Sequence, residues 1–258
     1  MSLLTDLVEG ARADAEARRS SVSYAELEKL AADAPPALDA LEFLRPTERV
    51  KILAEVKRAS PSRGRLADIP DPAALAVSYE TGGASAISVL TEQRRFQGSL
   101  DDLRDVRAAV SLPVLRKDFL VDEYQVLEAR AAGADLVLLI VSALEQPALA
   151  RLHSFATSLG MTALVETHDA DEVERALDVG AGLIGVNARD LATFELDQDL
   201  FGRLADRIPS SVIRVAESAV KTAADVAHYR RAGADVVLVG EALVTGDPVA
   251  TLQEFLAA

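Results

Sequence analysis

Glu55 and Lys57 stand two residues apart where an apolar run gives way to a turn, in the stretch ILAEVKRASPSRGRL at residues 52–66. Residues i and i+2 of a β-strand point to the same face. A carboxylate and an ammonium would therefore close one face of an otherwise apolar strand. Similar endings recur along the chain: Arg116-Lys117-Asp118-Phe119, Glu166, Asn187 with Arg189 beyond it, Glu217-Ser218-Ala219 and Gly240-Glu241. Two further runs end less tellingly, in Thr91 and Ser142. Lysines and carboxylates brought to one place can give and take protons in a reaction.

Each ending has a plainer reading. A charged residue after a strand is usually the start of a solvated loop. Glu55 and Lys57 could be a mere ion pair, and Lys117 could belong to a charged turn with Arg116 and Asp118. Asn187 suits a turn, SPSRG is turn-like by composition, and Gly240 could serve backbone geometry alone. Those readings do not predict that so many strands should end alike.

The elements that must position these residues follow a rhythm. Eight β-rich runs lie at residues 50–56, 84–91, 112–118, 135–141, 162–167, 182–187, 212–218 and 235–240, with helical patterns such as DEYQVLEARAAGAD between them. The phrases GGAS, AGAD, GAG and AGAD precede four of the runs, where a glycine suits a helix C-cap. Strands alternating with helices argue for parallel pairing, and near-continuous apolar strands for burial on both faces. The simplest architecture with this count is a closed (β/α)8 TIM barrel, with an open doubly wound sheet as the alternative. No G-x-G-x-x-G follows a strand, which weakens that alternative. Residues 1–49 precede the first strand. Leu3, Leu4, Leu7, Val8 and Ala11 fall at helical spacing and Pro35-Pro36 is a break. The expectation is one barrel domain over 1–258 with residues 1–49 as extra N-terminal helices packed on it.

Bulk properties narrow the function. With 258 residues, half of them hydrophobic, the chain can bury a full core. It has no Cys, so disulfides, thiolate metal sites and a Cys nucleophile are excluded. A net charge of −14 argues against nucleic acid as a partner. The longest apolar run, LVLLIV, is far too short to span a bilayer, and the first twenty residues do not resemble a signal peptide.

Barrel active sites lie at the C-terminal strand ends, and the loops after the seventh and eighth strands often bind phosphate through backbone N–H groups. Ser218-Ala219 and Gly240-Glu241 occupy those places, and Lys57 and Arg189 could add charge. Phe96 and Phe119 lie just past the second and third strands. In a chain with seven Phe and four Tyr, two at the rim could form a slot for an aromatic ring, or simply pack beneath a loop.

These residues resemble the indole-3-glycerol phosphate synthase family of tryptophan biosynthesis. ILAEVKRASPSRG is similar to that family's signature at the first strand, PVLRKDF to its third, LVET to its fifth, IGVNARDL to its sixth, and AES with VLVGEAL to its seventh and eighth. The resemblance implies closure of an indole ring. The substrate would be 1-(2-carboxyphenylamino)-1-deoxyribulose 5-phosphate, and the product indole-3-glycerol phosphate with loss of CO2 and water, with no metal and no organic cofactor. Carried over by motif, Lys117 is the general acid that protonates the ketone oxygen. Glu166, Glu55 and Lys57 are the acid–base groups, and Asn187 the positioning amide. Ser60, Glu217 and Arg189 match site positions, and Ser218 and Gly240 the phosphate region. The expected partner is an anionic, phosphorylated small molecule. A cytoplasmic monomer is expected, alone or beside other tryptophan-pathway enzymes, with no nucleic acid and no membrane.

The chemistry is coherent from below. A ring carbon attacking a ketone needs the developing oxyanion protonated, and a lysine ammonium can supply that proton. Decarboxylation needs no base; loss of the hydroxyl needs an acid and rearomatisation a base. Two neighbouring lysines are expected to lower the pKa of one or both. The chain departs from the family at Ala219, where Gly is usual, and at Ala188. The sibling isomerase of phosphoribosylanthranilate is discounted because it uses a Cys. A Schiff-base aldolase would also need a strand-end Lys, and a silent ligand-binding barrel would be expected to lose Lys117 or Glu166. The loop with Arg63, Gly64 and Arg65 is suited to close over a substrate.

Overall fold

A computed structural model describes residues 3–190 and 195–258. Leu191, the last residue of the sixth-strand motif, lies outside the described residues. Eight parallel strands form a closed barrel: β1 (Lys51–Val56), β2 (Ala86–Leu90), β3 (Val114–Lys117), β4 (Leu136–Ile140), β5 (Thr162–Thr167), β6 (Leu183–Asn187), β7 (Ile213–Glu217) and β8 (Val236–Val239). Each falls inside the run read from the sequence. Closure comes from β1, which pairs with β2 on one side (Glu55 beside Ser88) and β8 on the other (Ala54 beside Val239).

Side-chain alternation along the strands builds two cores. Ile52, Ala54 and Val56 of β1 face outward with Val137, Val165, Ile184 and Val237, and pack against the surrounding helices. Leu53, Leu115, Leu138, Leu164, Val215 and Leu238 face inward and fill the barrel. Burying each such leucine stabilises the fold by about 1.5–3 kcal/mol. Two residues further along the same faces come Glu55, Lys117, Glu166, Glu217 and Gly240. The inward face is thus apolar in the middle and polar at the C-terminal mouth.

Three helices precede β1: α1 (Leu3–Arg19), α2 (Tyr24–Asp33) and α3 (Ala40–Leu44), with Pro35-Pro36 between the last two. The apolar face of α1 packs at the mouth, where Leu3 and Leu7 line the cavity. At the opposite end the Leu38 N–H donates to Asp135, just before β4, and Ala40 and Leu44 join the inner core. The βα loops end in polar caps, Asp71, Ser99, Asp122, Asp169 and Thr222, each accepting from an N–H of the helix it starts. The recurrent glycine phrase marks helix ends as expected: Gly83, Gly133, Gly180 and Gly233 all have positive φ.

Candidate active site

One cavity at the C-terminal mouth is lined by Glu55, Lys57, Ser60, Phe96, Lys117, Phe119, Glu166, Asn187, Arg189, Glu217, Ser218, Ala219, Gly240 and Glu241. Every site residue read from the sequence is therefore in one place. At its floor lie two ion clusters. Lys57 pairs with Glu55, whose side chain is buried. Lys117 Nζ lies 3.0 Å from Glu166 Oε2 and 3.4 Å from Glu217 Oε2. Asn187 Nδ2 donates to Glu166 Oε1 at 3.1 Å, and Ser218 Oγ donates to Asn187 Oδ1 at 2.8 Å. The residues of four strands thus form one hydrogen-bonded chain.

The charged-turn reading of Lys117 does not hold. Its neighbour Arg116 points to the opposite face and is 1% exposed. Arg116 bonds the Gln125 carbonyl at 2.7 Å and pairs with Asp118 and Glu128. Strand alternation separates the structural arginine from the lysine of the site.

At Lys117 electrostatics run against the expected lowering. Burial pulls Lys117 down, but the carboxylates of Glu166, Glu217 and Glu55 outweigh it, so its pKa is raised rather than lowered. Lys117 is a firmly held ammonium. Burial pushes Glu166 up, but Lys117, His168 and Asn187 together hold it below the ordinary carboxylate range. Glu217 goes the other way. Burial raises it, Lys117 opposes, and the negative charges of Glu166 and Glu55 help push it up to about 8. Among the described residues its buried Oε1 has no hydrogen-bond partner. At neutral pH the mouth therefore holds an ionised glutamate beside a protonated one.

A stability test follows from Glu217. Its folded pKa of about 8 lies above the unfolded value near 4.3. The protonated carboxyl is favoured by the fold, so this contribution is full below about pH 4 and is lost as pH rises through 8. Glu217→Gln should mimic the protonated form without titrating. Its melting temperature should exceed the parent's at pH 9 by an amount worth on the order of a few kcal/mol, and the gap should shrink towards pH 5. Parallel melting curves across that range would contradict a buried, protonated Glu217.

The turn after β7 is left-handed at both Ser218 (φ 70°) and Ala219 (φ 57°). Alanine here takes a conformation that costs about 1–2 kcal/mol for a residue with a Cβ. The backbone a glycine would favour is thus kept at Ala219. Gly240 caps a four-residue helix, Glu241–Val244. Glu241 turns its carboxylate to Arg63, 3.0 Å away. Arg63 sits in the turn of a small antiparallel ribbon pairing Ala59–Ser60 with Gly64–Arg65. Arg189 and Leu196 form an isolated antiparallel bridge.

Above the charged floor, Phe96 and Phe119 have ring centroids 6.2 Å apart, inclined at 41°. Among the lining residues that escaped the sequence reading, Lys221, Leu3 and Leu7 stand out. Lys221 lies two residues past Ala219 and adds a cation to the lining. Leu3 and Leu7 were legible as a helix face but not as the cover of a cavity.

A closed (β/α)8 barrel with lysines, carboxylates and an amide converging at its C-terminal rim is the plan of a barrel enzyme that moves protons on a small anion. The family model for indole-3-glycerol phosphate synthase matches residues 4–255. An indole-3-glycerol phosphate synthase of Leifsonia xyli is 71% identical over 255 residues, covering 99% of this chain and 98% of the relative. Those of Mycolicibacterium gilvum and Mycobacterium tuberculosis are 59% and 58% identical over 258 residues, covering all of this chain and 94% of each relative. The chain belongs to the indole-3-glycerol phosphate synthase family. A solved structure of thiamine phosphate pyrophosphorylase from Pyrococcus furiosus shares the fold, with a TM-score of 0.61 at 14% identity, covering 80% of this chain and 93% of that one. Among the described residues no helix is long and apolar enough to cross a membrane.

Proposed function

We propose that this cavity converts 1-(2-carboxyphenylamino)-1-deoxyribulose 5-phosphate to indole-3-glycerol phosphate, with release of CO2 and water. The observation that carries the reading is the Lys117–Glu166–Asn187 chain standing beside the Glu55–Lys57 pair, beneath two aromatic rings. The carbon bearing the carboxyl group attacks the ketone carbon, and the ketone oxygen takes a proton from Lys117. Loss of CO2 returns the bonding pair to the ring. A second acid, Lys57 or protonated Glu217, helps the hydroxyl leave as water. A carboxylate, Glu166 or Glu55, takes the proton whose loss completes the indole.

The phosphate is assigned to the backbone N–H groups at Ser218–Ala219 and Gly240–Glu241, with Arg189, Lys57 and Lys221 adding charge. The Glu241–Val244 helix begins at the second of these turns. The turn at Ser218–Ala219 lies ahead of the helix that starts at Ala223, so its amides act without a helix end. Fixing the anion there points the aromatic end towards Phe96 and Phe119. One chain supplies every group, which supports a monomer as the working unit. A phosphorylated sugar does not cross membranes unaided, so a cytoplasmic location goes with this substrate.

Turnover of the carboxyphenylamino sugar phosphate, followed by indole fluorescence, tests the assignment. Binding without turnover would leave a silent ligand-binding barrel. Trapping of a keto-phosphate by borohydride would point to a Schiff-base aldolase. The aromatic slot makes its own prediction. Phe96→Ala and Phe119→Ala should each weaken binding of a product analogue by about 0.5–1.5 kcal/mol from stacking, plus lost apolar area. Calorimetric titration giving parental affinity for both variants would reduce the two rings to loop packing.

A further inference from the structure

Beside the catalytic cluster stands a part-buried titratable group that the proposed mechanism does not use. His168 follows β5 by one residue and shares the inward face with Glu166, two positions earlier. Its Nδ1 lies 3.0 Å from Glu172 Oε2 and its Nε2 lies 3.4 Å from Glu166 Oε1. Glu172 is itself fixed. It sits in the first turn of the helix Ala170–Asp178, its N–H bonds the Asp169 cap at 2.8 Å, and its Oε2 also accepts from the His168 N–H at 2.7 Å. The ring is thus held through both backbone and side chain. Among the described residues its buried Nε2 has no hydrogen-bond partner, so the 3.4 Å contact with Glu166 is an ion pair. The carboxyl it faces receives Asn187 on Oε1 and Lys117 on Oε2.

We infer that His168 is a positioning residue for Glu166: Glu172 locks the imidazole, and its Nε2, 3.4 Å from Oε1, fixes that oxygen by ion pairing together with the Asn187 hydrogen bond, leaving Oε2 for Lys117 and the substrate. The inference rests on the acid–base role proposed for Glu166. A carboxylate–imidazole pair that orients a third group is a recurrent arrangement where one atom must be presented repeatedly in the same place. It solves a specific problem here. Once Lys117 gives its proton away, it no longer anchors Glu166 by charge, and the carboxyl needs a second cation to stay in register.

The charged surroundings agree. Burial pulls His168 down, but the carboxylates of Glu166 and Glu172 push it up to about 10. The ring is then a cation at neutral pH and both nitrogens carry a proton. Around the pair stand Lys117 from β3, Glu217 from β7, and Glu172 and Asp169 from the helix start, where Asp169 is turned to its capping bond. Asn187 from β6 is neutral.

The competing role is purely local, with His168 and Glu172 tying the strand end to the helix. His168→Asn separates the two, because an Asn amide reproduces Nδ1 and its link to Glu172 but has nothing at Nε2. The inference expects kcat to fall roughly 10–100-fold with KM little changed. The acid limb of kcat, set by ionisation of Glu166, should move up by about one pH unit when the neighbouring cation is lost. His168→Gln, which places a neutral donor near Nε2, should recover much of kcat but not the position of the limb. Glu172→Gln, which keeps the histidine, should shift both readouts the same way in smaller measure and serves if His168→Asn folds poorly. Glu166→Gln is the control. If it is inactive while His168→Asn keeps parental kcat and an unmoved limb, the inference is overturned. A lower kcat with a lower melting temperature and an unmoved limb also overturns it, in favour of the local role. Near-parental turnover by Glu166→Gln would instead overturn the reading of Glu166 on which it rests.

Discussion

Methionine in place of Lys117 should lower kcat by about 10²–10⁴, the usual loss when a positioned acid is removed. The side chain keeps most of its length but loses the ammonium that stands 3.0 Å from Glu166 and 3.4 Å from Glu217. KM should change less, because the phosphate turns lie on β7 and β8. Stability should also fall. Deleting one partner of a buried pair typically costs about 3–5 kcal/mol. The low end is expected, since Glu166 keeps Asn187 and His168, and Glu217 already favours its proton. The loss has a predictable pH dependence. Lys117 lowers both carboxyls, so losing the cation moves both pKa values up. Relative to the parent, their contribution is then present at low pH and lost as pH rises. The melting-temperature gap between parent and variant should therefore widen from pH 5 to pH 8, and adding Glu166→Gln should narrow it. Steady-state kinetics and thermal melts at the two pH values decide. A folded Lys117→Met enzyme with near-normal kcat would remove Lys117 from the mechanism.

Much of this site was legible because a β-strand has a period of two. Leu53-Glu55-Lys57, Leu115-Lys117, Leu164-Glu166, Val215-Glu217 and Leu238-Gly240 can each be read off the chain as an inward face that turns polar at its end. Once eight runs imply a barrel, those ends must meet. The charges of the site were less legible. The sequence puts two lysines near the rim, which alone would depress them. The carboxylate that completes the Lys117 cluster, Glu217, is a hundred residues away, and the sign of the shift depends on how many carboxylates reach one nitrogen. His168 was within reach, since the spacing that pairs Glu55 with Lys57 also pairs Glu166 with His168. Lys221, Leu3 and Leu7 were not, because loops and helices have no parity that says which residue meets a cavity. Ala219 keeps a left-handed backbone that its residue type does not favour, which no local preference would have announced.

Gly240 gives the other large expected effect, and for a reason different from backbone freedom. Its φ of −123° and ψ of −70° lie outside the left-handed region that favours glycine. The constraint is space: a Cβ there would lie 2.5 Å from Glu55 Oε2 and 3.0 Å from Lys57 Nζ. Real Cβ atoms do not approach so closely, so the ion pair would have to move. Glu55 has little room, since its side chain is buried and its carbonyl accepts from Tyr79 at 3.2 Å. Gly240→Ala should therefore displace both groups by a sizeable fraction of an ångström and crowd the amides assigned to phosphate. Misplacement on the scale of 1 Å costs about 10² in rate, and overpacking adds about 1–3 kcal/mol of instability. The double variant Gly240→Ala/Glu55→Ala should relieve the closest overlap but not restore activity, because that obstruction and the acid–base group are the same side chain. Gly64→Ala makes the converse control. Gly64 has φ 67° and nothing within 4 Å of a would-be Cβ, so alanine there should cost about 1–2 kcal/mol through conformation alone and leave the Glu55–Lys57 pair untouched. Parental kcat/KM in Gly240→Ala, measured beside that control, would mean that the pair can retreat without loss and that its present position is not what the reaction requires.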